Sequence, residues 1–242
     1  RVDPETFTRM MFHQKGNYNK WGYNNTTVNV LTDAQQEEMD VEKRRDLILD
    51  TQQMLFEDAA ASPIVHPSMT NAYREDRLDG LVPQLGEGIG SLWTDLNVRV
   101  KSGDGYVKTG QTSPLKNLNP ISVADSNEFK ELRMIYDRLI QVGPDGSIVP
   151  WAATSITAQD STTIDIKLRD GMKFHDGKSV TVEDVKFTFE YFRKWKAPFF
   201  ISSLEKFESI KITGRNTMQI KLVGPHAPLM INFFAQIFII PK

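Results

Sequence analysis

Cysteine is absent from all 242 residues of the chain. No disulfide framework, thiolate metal site or thiol nucleophile is therefore open to it, and the absence leaves the compartment undecided. An excess of one charge is missing as well: 29 Lys and Arg stand against 31 Asp and Glu, a net charge of −2, without basic runs. That is no electrostatic footprint for nucleic acid or an anionic membrane surface. Long apolar runs are scarce. The longest, Leu229 to Ile240, holds about 12 residues interrupted by Asn232 and Gln236, whereas a membrane span needs roughly 20. It reads as a buried helix-to-strand segment. The opening Arg1-Val2-Asp3-Pro4 has no apolar signal core. The break after Pro241-Lys242, where an apolar segment should continue, is that expected of a fragment.

Reactive constellations are equally sparse. His13, His66, His175 and His226 are scattered without HExxH spacing, and a zinc site needs three or four converging ligands. Neither a metal nor a cofactor is expected. Gly86-Glu87-Gly88-Ile89-Gly90 lacks the spacing of a phosphate loop and no helix clearly starts behind it, so it reads as a flexible surface loop. No Gly-x-Ser-x-Gly elbow occurs. Glu37-Glu38 and Glu183-Asp184 fall on predicted helix faces, where solvation and complementation of the helix dipole account for them. Tyr18, Trp21 and Tyr23 lie in a polar loop and can either stack on a ligand or pin that loop to the body. Trp93, Trp151 and Trp195 read as packing residues. The residues alone favour a binding or structural module over an enzyme.

What is present is an ordinary globular balance, 40% apolar and 25% charged residues, enough for one large or two modest domains. Residues 3–13 predict a short helix. Val28 to Phe56 is helical in pattern, with Asp40 as an N-cap and Leu47, Ile48, Thr51, Met54 and Leu55 on one face, and Ser62-Pro63 as its stop. Ile64-Val65-His66, Tyr73 to Leu78, Leu96 to Val100 and Tyr106 to Gly110 read as short strands, with Lys101 to Gly105 between the last two as a linker or hairpin. Asn127 to Leu139 predicts an amphipathic helix, and Gly143-Pro144-Asp145-Gly146 a turn. Ile164, Ile166 and Leu168 alternate with polar residues, as do Met218, Ile220 and Leu222 behind the Gly214-Arg215-Asn216 turn, so two half-buried strands are expected.

The densest local information lies in Leu168 to Lys194. Asp170-Gly171 and Asp176-Gly177 are turn dipeptides, because glycine accepts the positive φ such turns require. Thr181 with Asp184 three residues on is a capping-box start, and Val185, Phe189 and Phe192 then make one apolar helix face. With its neighbours, Val149-Pro150-Trp151-Ala152, Asp160 to Gly177 and Thr181-Val182-Glu183-Asp184-Val185, this stretch resembles the signature region of the family 5 extracellular solute-binding proteins. These are the peptide-, nickel- and oligosaccharide-binding receptors of ABC importers. Asn117-Leu118-Asn119-Pro120 and Ile135-Tyr136-Asp137-Arg138-Leu139 fit that family's beginning; Thr217 to Pro228 and Ile240-Pro241-Lys242 fit its next segments. Asp3-Pro4-Glu5-Thr6-Phe7, Gly22-Tyr23-Asn24-Asn25, Arg44 to Glu57 and Ser62-Pro63-Ile64-Val65 resemble instead its carboxyl-terminal portion, with Asn25-Thr26-Thr27-Val28-Asn29 departing from the family loop. The order is back to front: residues 1–104 resemble the family's tail and 105–242 its head. A tandem junction, a shortened circular permutation and an excised piece all produce that order.

The resemblance implies an α/β fold of mixed-sheet, periplasmic-binding-protein-like (type II) lobes, incomplete relative to the full two-lobed receptor. It implies non-enzymatic capture of a small-molecule or peptide ligand by hinge closure, an ABC transporter permease as partner, no nucleic acid, and a periplasmic or extracellular location at the cell envelope. In peptide-binding relatives an acidic residue for the ligand's amino group precedes the segment matching Asp3-Pro4. The loop Ser122 to Asn127 matches one that approaches ligand, which makes Ala124, Asp125 and Ser126 the expected contacts; the same loop also reads as a plain turn and helix N-cap. Two other functions stay open. One is a structural or protein-interaction domain derived from a truncated or rearranged binding-protein fold; the other, which no catalytic constellation favours, is a hydrolase.

Overall fold

The computed structural model describes residues 3–65, 68, 70–111, 114–123 and 125–242. Its centre follows from apolar alternation. In β6, Thr163–Leu168, and β8, Thr217–Leu222, the apolar residues of each strand are buried. The strands pair antiparallel with Ile164 opposite Ile220 and Ile166 opposite Met218, so their apolar faces coincide. Strands β5, Ala153–Ala158, and β7, Phe207–Gly214, complete a four-stranded sheet of order β5-β6-β8-β7. The expected Gly214–Asn216 turn joins β7 to β8.

One helix, α6, Val182–Lys194, shares its core with that sheet through Val182, Val185, Phe189 and Phe192. Its start is a capping box. Asp184 Oδ2 accepts from the Thr181 N–H at 2.8 Å, and Thr181 Oγ1 accepts from the Asp184 N–H at 3.4 Å. Ahead of the helix, Gly171 (φ +77°) and Gly177 (φ +87°) make the two expected turns. Across the second turn a single antiparallel bridge pairs Lys173 with Ser179.

The closing segment completes the core. A π-helical turn, Met230–Phe234, buries Phe233 among Phe189, Phe200, Phe207 and Phe234 at centroid separations of 5.2, 6.1, 5.1 and 5.4 Å. Each fully buried phenylalanine contributes about 1.5–3 kcal/mol of transfer free energy. The expected strand does not follow. Residues 237–242 form no regular element and have no β partner among the described residues. The Ile239 N–H donates to Asp137 O, that of Ile240 to Thr188 Oγ1 and that of Lys242 to Asp184 Oδ1. The segment lies along α6 and a loop, held by one backbone carbonyl and two side-chain oxygens.

Before the sheet, a 3-10 turn, Pro4–Thr6, leads into α1, Arg9–Phe12, then α2, Thr26–Glu37, and α3, Val41–Glu57. Asn25 caps α2, and Asp40 caps α3 as expected. Helix α3 ends before Ser62-Pro63. Ala59 takes a left-handed φ of +48°, its N–H donates to Phe56 O, and the Ala60 N–H donates to Leu55 O, a Schellman closure. Ile64 and Val65 are exposed and form no strand; His66 lies outside the described residues.

Further differences concern segments whose local pattern was ambiguous. Only Leu78 of the Tyr73–Leu78 stretch is in a strand, β1, Leu78–Asp79, which pairs with β2, Arg99–Val100. Leu96 belongs instead to α4, Leu92–Asn97, which Ser91 caps. Lys101 to Gly105 is a bend tied to Arg77 through Asp104 at 3.0 Å, and Tyr106 to Gly110 is exposed and unpaired. The predicted Asn127–Leu139 helix shortens to α5, Ser126–Leu132. Beyond it, Leu139 enters the core at a bend that leads into β3, Ile140–Val142, which pairs with β4, Ile148–Pro150, over the Gly143–Gly146 turn. Among the described residues no helix is long and apolar enough to cross a membrane.

Candidate functional site

The expected contact loop leads into α5 and is divided between two tasks. Asp125 caps the helix, its Oδ1 accepting from the Asn127 N–H at 2.8 Å. Ser126, the first helical residue, lines a cleft of ≈ 360 Å³. Ala124 lies outside the described residues. Asp125 is not among the residues lining that cleft.

Both halves of the chain build the cleft. One wall is the glycine-rich turn Gln84–Glu87; the others come from α5, from Gln141 and Val142 of β3, and from Phe199, Ile231, Ala235 and Gln236. The turn is not a free surface loop. Gln84 Nε2 donates to Val142 O at 2.9 Å, the Leu85 N–H donates to Pro144 O at 3.0 Å, and Trp93 Nε1 donates to Val142 O at 2.8 Å. Gly86 (φ +79°) and Gly88 (φ +62°) supply the left-handed backbone that brings the turn onto the β3–β4 hairpin. A helix does begin behind it, the six-residue α4.

Electrostatically the cleft is unbalanced. Lys130, Arg133 and Arg138 line it against the single carboxylate of Glu87. Arg133 is committed: Nη1 donates to Glu87 Oε2 at 2.7 Å, Nη2 to Gly90 O at 3.0 Å, and Asp95 lies at 3.4 Å. Arg138 is different. It is 7% exposed, donates from Nη1 to Ala235 O at 3.0 Å and stands 4.9 Å from the Phe238 ring centroid. Its Nε, like that of Arg133, has no partner, and, unlike Arg133, it forms no ion pair among the described residues. Burial first, and the neighbouring Arg133 second, push it down to about 9, which leaves it protonated at neutral pH. An amphipathic helix over Asn127–Leu139 by itself gives neither arginine a role beyond its polar face. A charged residue followed directly by the apolar Leu139-Ile140 is the signal that could have marked Arg138.

A second cleft, ≈ 480 Å³, separates Glu5, Arg9 and Tyr18 from Pro198, Lys206, His226 and Asn232. Burial, then Lys206, depress His226 to about 4, so it is neutral at physiological pH. Burial raises Glu5, which accepts from Gln35 and Gln36. Of the three loop aromatics only Tyr18 lines this space. Trp21 and Tyr23 lie edge-on to Phe12 at 5.7 and 5.8 Å, and Tyr23 Oη donates to Asp58 at 2.7 Å; burial first, and Asp58 second, raise its phenol to about 12. These two pin the loop. Trp93 and Trp151 pack edge-on at 6.2 Å, whereas Trp195 is 59% exposed and is not a core residue. We place the candidate site in the first cleft, because it combines Ser126 with a buried cation that the fold does not pair. Among the described residues no group of three or more His, Asp and Glu is arranged to hold a metal.

Comparison with known proteins bears on the half that supplies the sheet. The family model for bacterial extracellular solute-binding proteins, family 5 Middle, matches residues 147–242. The chain is 31% identical over 112 residues to the uncharacterized protein YejA of Escherichia coli (strain K12), covering 45% of this chain and 18% of that protein. It is 36% identical over 67 residues to the nickel-binding periplasmic protein of the same organism, covering 27% and 13%. Among solved structures, the oligopeptide-binding protein AppA of Bacillus subtilis in complex with a nonapeptide is similar over 51% of this chain and 25% of its own. Its TM-score is 0.46 at 26% identity. The matches thus span well under a third of each relative's length. Over residues 147–242 this chain is similar to the bacterial extracellular solute-binding proteins of family 5.

Proposed function

We propose that the chain is a solute-binding module of an ABC-type importer, non-enzymatic, working with a membrane permease in the periplasm or at the outer face of the cell envelope. One observation carries the reading: the family 5 segment supplies a wall of the cleft, through Phe199, Ile231, Ala235 and Gln236, while Ser126, from the loop expected to approach ligand, lines another part. A cleft of ≈ 360 Å³ falls in the range of roughly 300–1,000 Å³ usual for small-molecule sites. Ala124, Asp125 and Ser126 are assigned to the solute's approach, with backbone groups as the contacts. Residues 1–104 and 105–242 are assigned as the two units, corresponding to the family's tail and head. The solute class most in keeping with the family resemblance is a peptide.

Isothermal titration of a di- to pentapeptide mixture into the chain, and into the complete gene product, tests this. Saturable heat from either supports the module. Silence from both, together with capture of a defined protein partner, makes the chain an interaction domain. Turnover of a chromogenic ester or peptide overturns the non-enzymatic assignment.

A further inference from the structure

We propose that the cleft beside α5 is an oxyanion site: Arg138, assisted by Lys130 and Arg133, receives a carboxylate or phosphate group of a small solute. The inference rests on the solute-binding reading and names the chemistry that reading leaves open. Its starting point is an imbalance. A buried guanidinium normally meets a carboxylate or a full set of carbonyl acceptors, because an unpaired buried charge is strongly unfavourable. Arg138 is 7% exposed and has one carbonyl and one ring face. Its Nε is unpartnered.

The nearby carboxylates do not fill that role. Glu87 and Asp95 are engaged by Arg133 at 2.7 and 3.4 Å. Lys130, which also lines the cleft, forms no ion pair among the described residues. Two cations therefore remain without an anionic partner around a concave, partly apolar space that also presents Ser126, Gln141 and Gln236. A planar guanidinium matches the two oxygens of a carboxylate or two of a phosphate, which makes an oxyanion the complementary ligand. Hydroxyl and amide groups on the rim suit the remaining lone pairs of such a group.

The test is calorimetric titration, at constant ionic strength, of the chain with N-acetylglycine, its uncharged N-methylamide and inorganic phosphate. Arg138→Met and Lys130→Gln are measured alongside, with circular dichroism to confirm the fold. Lys130→Gln, on the partly exposed face of α5, keeps the test decisive should Arg138→Met not fold. The acid or phosphate binds saturably, the amide at least about tenfold more weakly, and each variant loses affinity, Arg138→Met by at least about tenfold. Whether the acid or phosphate binds identifies the source of the oxyanion. Silence toward both anions, equal binding of acid and amide, or unchanged affinity in a folded variant overturns the proposal. If a neutral solute binds while the anions do not, the oxyanion site falls and the receptor reading survives. Anion binding without any importer solute has the reverse consequence.

Discussion

Substituting Asp184 should destabilise the chain more than substituting its capping partner, and the structure says by how much. Asp184 Oδ2 accepts from the Thr181 N–H at 2.8 Å and from Thr181 Oγ1 at 2.7 Å, while Oδ1 accepts from the Lys242 N–H at 3.0 Å. The residue is 8% exposed. Thr181→Ala removes one long bond, from the Asp184 N–H at 3.4 Å, and the hydroxyl's bond to the carboxylate; about 1 kcal/mol is expected for such a cap. Asp184→Ala leaves the N–H groups of Thr181 and Lys242 without their acceptor and removes an anion from the positive end of α6. Roughly 2–4 kcal/mol follows from the lost charge-assisted bonds and dipole interaction. Asp184→Asn, which keeps one acceptor oxygen, should fall between. The two alanine changes delete the same reciprocal pair, so the double variant should cost about as much as Asp184→Ala alone, with a coupling near 1 kcal/mol. Equilibrium urea unfolding, followed by far-ultraviolet circular dichroism and tryptophan fluorescence, gives these differences as midpoint shifts at constant slope. A Thr181→Ala cost equal to that of Asp184→Ala, or strict additivity of the pair, would refute the argument.

Two further outcomes follow from burial. Phe233→Ala, at the centre of the phenylalanine cluster, should cost about 3–5 kcal/mol in the same urea experiment, and a loss under about 1 kcal/mol would show that the cluster is not the core. His226, whose folded value is held near 4 against 6.5 unfolded, contributes stability that is complete above pH 6.5 and is lost as pH falls through about 4. The full difference amounts to about 3 kcal/mol. Glu5, raised by burial, acts with the opposite sign, losing stability as pH rises through its folded value. The measurement is therefore the difference between wild type and His226→Gln from pH 7 to pH 4, which should shrink with acidification. Curves that stay a constant distance apart would exclude the histidine as the cause.

Period-two alternation placed β6 and β8, the Asp-Gly pairs placed the turns, and Thr181 with Asp184 placed the start of α6. These features are legible in the sequence because they depend on residues a few positions apart. The same reasoning failed where local pattern was ambiguous. Residues 133–139 carry a helical period, yet the core draws Leu139 and Ile140 inward at a bend and a strand start; residues 237–242 have strand composition, yet they lie beside α6 and pair with no strand among the described residues. The site divides along the same line. The resemblance pointed to Ser126 as an expected contact, and the fold sets it on the cleft wall. The unpaired state of Arg138, the commitment of Arg133 to Glu87 and Asp95, and the closing of the cleft by the Gln84 turn all required the tertiary structure. Capping and turn chemistry act within a few residues and can be read from the chain. Whether a buried charge meets its counter-ion depends on segments as far apart as Arg138 and Ala235, which only the folded chain brings together.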